Sequence, residues 1–101
     1  MIVEETVVFK ADHPALAGHF PDDPILPGVA LLDEALNLAR DRGGWNVTGI
    51  SRAKFRTALS PGAPCIMRFS ENGDGVIGLT CTSQGLTILT ATLEFRRRNN
   101  S

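Results

Sequence analysis

Residues 2 to 10, IVEETVVFK, are rich in β-branched side chains, which predicts a strand ended by the ADHP turn signal. From Asp12 to Pro27 four prolines and clustered aspartates and glycine leave no room for a regular element. The apolar period then changes. Between Gly28 and Arg42, Val29, Leu31, Leu32, Ala35, Leu36, Leu38 and Ala39 cover a wide arc at helical spacing, opposite Glu34, Asn37 and Asp41. Pro27 suits the helix start, and Gly43 with Gly44 stops it. An arc this wide predicts a helix wrapped by other elements.

No second helical period follows. Trp45 to Leu59, Pro64 to Glu71, Gly75 to Ser83 and Leu86 to Arg96 all read as strands, with ENGDG and SQG as hairpin turns that put glycine where φ must be positive. The pattern predicts a single α+β domain over residues 1–101. Its four later strands are expected to run as a meander, in an antiparallel sheet that buries one helix.

The chain has 101 residues, 43% of them hydrophobic, enough for one core. A net charge of -1 and a pI near 6.1 supply no field for gathering phosphates, so nucleic acid is not an expected partner. The N-terminus carries acids where a signal peptide needs bases, and no apolar run reaches membrane-span length. A soluble, cytoplasmic protein is expected. Cys65 and Cys81 lie in apolar strands without CxxC spacing, which predicts buried free thiols while leaving a disulfide between them open.

The candidate chemistry lies in GHFPDDPILPGVALLDEA, Gly18 to Ala35. His19 can accept a proton near neutral pH, and a carboxyl held against apolar surface can keep one to donate. The free amides of a helix N-terminus can polarise a carbonyl, and Gly28 lets a substrate approach that backbone closely. Asp33 stands beside Val29 and Leu36 at helical spacing, at the edge of the apolar arc, whereas Glu34 points further into the polar side. These roles suit removal of a proton next to a thioester carbonyl followed by loss of a β-hydroxyl, which is dehydration. Taken singly each residue has a plainer reading: a structural histidine, a turn glycine, a solvated helix acid. It is their combination that points to catalysis.

HFPxxPILPGV, with an acid fourteen residues after the histidine, resembles the β-hydroxyacyl-acyl-carrier-protein dehydratases of the hot-dog fold. AKFRTALSPG, residues 53 to 62, is similar to the strand and turn that follow the helix in that family. The resemblance implies a sheet wrapped around one central helix, with His19 as base, the Gly28 backbone as thioester-polarising group and Asp33 as acid. Phe20, Pro27 and Val29 would contact the substrate. Asp22 replaces a usual glycine, and Asn37 stands where many members carry glutamine.

The implied substrate is a β-hydroxyacyl group on the phosphopantetheine of an acyl carrier protein, in fatty-acid or polyene-type synthesis, with no metal or redox cofactor. Arg52, Lys54 and Arg56 alternate along one strand as a basic stripe that could dock an acidic carrier. A homodimer or higher homo-oligomer is implied, with the histidine of one subunit facing the acid of the other. Two alternatives share the fold: an acyl thioesterase, and a non-catalytic module that binds acyl chains or the carrier protein.

Overall fold

The computed structural model describes residues 1–9 and 28–97. β1 (Ile2–Val8) precedes the helix α1 (Gly28–Asp41), and β2 (Trp45–Phe55), β3 (Pro64–Glu71), β4 (Val76–Ser83) and β5 (Leu86–Arg97) follow. The strands form one five-stranded antiparallel sheet in the order β1-β3-β4-β5-β2. Alternation fixes its two faces. Cys65, Met67 and Phe69 of β3, Ile77, Leu79 and Cys81 of β4, and Leu89, Ala91 and Leu93 of β5 are buried on the face that meets α1.

The four-strand meander is corrected by this order: β3, β4 and β5 form one, but β2 pairs with β5 at the far edge. The turn before β3 explains where that strand goes. Gly62 takes φ 87 and its N–H donates to the Phe9 carbonyl at 2.8 Å, so β3 starts beside the end of β1. β2 also ends at Phe55 rather than Leu59, because Arg56 N–H and Thr57 N–H both turn to the Ile88 carbonyl, at 2.8 and 3.4 Å. Two bulges, between Val47 and Gly49 and between Ile50 and Arg52, bend β2 along its length.

The SQG turn is a two-residue hairpin between Ser83 and Leu86, with Gln84 at φ 52 and Gly85 at φ 80. Both central residues are left-handed, as a turn that follows the strand twist requires.

Only part of the helix's wide apolar arc is covered. Leu31, Ala35 and Ala39 are buried against the sheet, the two alanines allowing close approach, while Leu32, Leu36 and Leu38 are half-buried. Val29, at the start of the helix, is 71% exposed. Both helix ends are tied. A Cβ at Gly28 would overlap the Phe55 ring, and Arg42 Nε meets Glu5 Oε1 of β1 at 3.2 Å. Past the helix, Gly44 takes φ 69, and the Trp45 indole fills the space where a Gly43 side chain would stand.

Candidate active site

Gly28 is the first residue of α1, and no acidic residue occupies the first turn. The opening amides of a helix have no intrahelical acceptor, so this end offers N–H donors and the positive pole of the helix to an oxygen. The expected glycine role has a concrete geometry here: the backbone runs so close to Phe55 that Cδ1, Cε1 and Cγ of the ring would all meet an added Cβ. Phe55 is the last residue of β2, opposite buried Leu89, and it remains 50% exposed. His19, Phe20, Asp22 and Pro27 lie outside the described residues.

Asp33 stands five residues into the helix from Gly28, about 7.5 Å along the axis. It is exposed, and Glu34 is the half-buried acid of the two, which corrects the expectation drawn from periodicity. The reason is the choice of contact stripe. The sheet takes Leu31, Ala35 and Ala39, and this turns Val29 and Asp33 together onto an uncovered side. Ile50 on β2 is also exposed, at 42%.

The basic stripe exists, facing away from the helix. Arg52 pairs with Thr92 and Lys54 with Thr90 on the outer face, whereas Ala53 and Phe55 oppose the core residues Ala91 and Leu89. Arg52, Lys54 and Arg56 are all exposed. At the other end of α1, Asn37 joins Leu36, Arg40, Trp45, Asn46 and Val47 around a cleft of about 230 Å³.

Cys65 and Cys81 are free and buried. A hydrogen bond with Cys65, reinforced by burial, pushes the Cys81 thiol above its ordinary range and keeps it protonated. It is not poised as a nucleophile. Among the described residues no group of three His, Cys, Asp or Glu side chains is arranged to hold a metal ion. No described helix is long and apolar enough to cross a membrane.

A family model, ApeI-like, described as ApeI dehydratase, matches residues 2–86, a span that takes in β1, the helix and β2 to β4. The chain belongs to the ApeI-like dehydratase family. Curated relatives agree over shorter spans. The 3-hydroxyacyl-[acyl-carrier-protein] dehydratase FabZ of Thermoanaerobacter sp. (strain X514) is 30% identical over 66 residues, 56% of this chain and 46% of that protein. FabZ of Alkaliphilus metalliredigens (strain QYMF) is 42% identical over 62 residues, 52% of this chain and 42% of its own length. The matched region thus spans less than half the length of either.

Solved structures show the same fold at low identity. The dehydratase heterocomplex ApeI:P from Xenorhabdus doucetiae superposes with a TM-score of 0.82 at 22% identity, covering 95% of this chain and 88% of that one. The (R)-hydratase from A. caviae involved in PHA biosynthesis gives 0.75 at 17% identity, over 97% and 95%. The ApeI-like chain therefore has the α+β hot-dog fold, one helix on the inner face of an antiparallel sheet.

The residue that sequence reasoning passed over is Phe55. It alternates out of phase with Arg52, Lys54 and Arg56, and this alone puts it on the helix side of β2; its contact with Gly28 depends on where the helix crosses.

Proposed function

We propose that this ApeI-like chain dehydrates β-hydroxyacyl groups carried as phosphopantetheine thioesters on an acyl carrier protein, in fatty-acid or polyene-type synthesis. The match of residues 2–86 to the dehydratase family carries the reading. His19 takes the α-proton, and the Gly28 N–H donates to the thioester oxygen as it gains enolate character. Asp33 gives its proton to the departing β-hydroxyl, which leaves as water, and the α–β double bond forms. The substrate brings its own thioester handle, so the reaction calls on no metal or redox group. A cytoplasmic location fits such a carrier-borne substrate.

The site is completed by a second subunit. Val29, Ile50 and Phe55 are exposed apolar residues, and β2 is an edge strand that pairs with β5 alone among the described strands. A homodimer that joins two such edges would cover both, with His19 of the partner subunit acting on the same substrate as Asp33. Arg52, Lys54 and Arg56 stay available for the acidic carrier protein.

The test is to incubate the protein with crotonyl pantetheine thioester and follow mass and free thiol together. Addition of one water without thiol release is expected, since acid and base exchange roles in the reverse direction. Rapid thiol release without hydration would contradict the proposal and favour thioester hydrolysis.

A further inference from the structure

Phe55 sits where it can decide which acyl groups reach the helix N-terminus. It lies on the inner face of β2, half exposed, against the backbone of Gly28. In a helix the Cα–Cβ direction tilts toward the N-terminus, so a ring occupying the Cβ position of residue 28 also flanks the opening where the first amides point. Its neighbour on the same face, Ala53, is small, and Val29, next to Gly28 in the helix, is exposed. The three heavy atoms nearest a Cβ built at Gly28 all belong to the Phe55 ring, which thus forms a bulky wall beside the Gly28 backbone.

We infer that Phe55 is a specificity-determining residue that admits α-unbranched acyl thioesters and rejects those with an α-methyl group. The inference rests on the dehydratase reading above, in which the thioester oxygen accepts from Gly28 N–H. An oxygen about 2.9 Å from that nitrogen leaves the acyl α-carbon within contact reach of a ring already touching Gly28. An unbranched α-carbon lies flat against the ring, whereas an α-methyl on that side meets it. The ring cannot retreat toward the helix, because the Gly28 backbone is already in contact. The same wall keeps water from the polarised oxygen, where a competing hydrogen bond would weaken the amide's hold.

The experiment compares β-hydroxybutyryl and α-methyl-β-hydroxybutyryl pantetheine thioesters with wild type, Phe55→Leu and Phe55→Ala, reading kcat/KM for each. Wild type is expected to favour the unbranched substrate by about ten-fold or more, the scale of a single misfitting methyl group. The preference should shrink in Phe55→Leu and largely vanish in Phe55→Ala. A ring with only a structural role would lower both substrates together and leave their ratio unchanged, and that result would overturn the inference while sparing the dehydratase reading. Wild type that dehydrates neither thioester would overturn both. If Phe55→Ala does not fold, the Phe55→Leu ratio decides, because leucine keeps the apolar packing and shortens the wall.

Discussion

The indole N–H of Trp45 donates to Glu71 Oε1 at 2.7 Å, joining the first residue of β2 to the last of β3. Trp45 is fully buried, with Phe69 and Phe95 at ring-centroid distances of 6.0 and 6.1 Å. It fills the end of the core below the helix stop at Gly43. Trp45→Phe keeps most of this packing but removes the donor, and should cost about 1.5–3 kcal/mol for a hydrogen bond to a carboxylate. Trp45→Ala, which also empties the space, should cost about 3–5 kcal/mol. Urea unfolding with unchanged m values checks both, and equal costs for the two variants would contradict the assigned hydrogen bond.

The contact between Gly28 and Phe55 predicts a compensating pair. Gly28→Ala forces a methyl group into the ring and should destabilise the protein by about 1–3 kcal/mol, as overpacking does. Adding Phe55→Ala should recover part of that loss, because the obstructing ring is gone. Thermal unfolding of the two single variants and the double variant checks this without reference to activity.

Cys65 and Cys81 should resist alkylation in the folded protein at pH 8. Burial excludes the reagent, and the pairing with Cys65 holds Cys81 protonated above the ordinary thiol range. Both should react after denaturation. Rapid native labelling of either thiol would show that the strand pair opens.

Much of the fold is legible in the sequence, for reasons that also mark what is not. The alternation in CIMRF and VIGLTC specifies which face of each strand is buried, and the structure follows it residue by residue. Alternation says nothing about neighbours: β2 lies beside β5, and β3 starts beside β1 where the Gly62 N–H meets the Phe9 carbonyl, and no periodicity encodes either pairing. The helix is legible in extent but not in orientation. Its apolar arc is wider than one sheet can cover, and the choice of the Leu31, Ala35 and Ala39 stripe leaves Val29 and Asp33 outside. In the candidate site, Gly28 is found at the helix start as expected, whereas Phe55 reaches it only through tertiary crossing.

The exposure of Asp33 and the half-burial of Glu34 make the choice of acid a direct test. Asp33→Asn should lose about 100-fold or more in kcat, the scale of a general acid, while Glu34→Gln should stay within a few-fold of wild type. The reverse ranking would transfer the acid role to Glu34.

The central claim is that His19 and Asp33 form one catalytic site contributed by two subunits, and complementation tests it most directly. His19→Ala and Asp33→Ala are each expected to be inactive. After mixing and re-association, random pairing makes about half the dimers mixed, each with one of two sites intact, so about a quarter of wild-type activity should return. With subunit exchange confirmed by mass, a mixture that stays inactive would contradict the shared site.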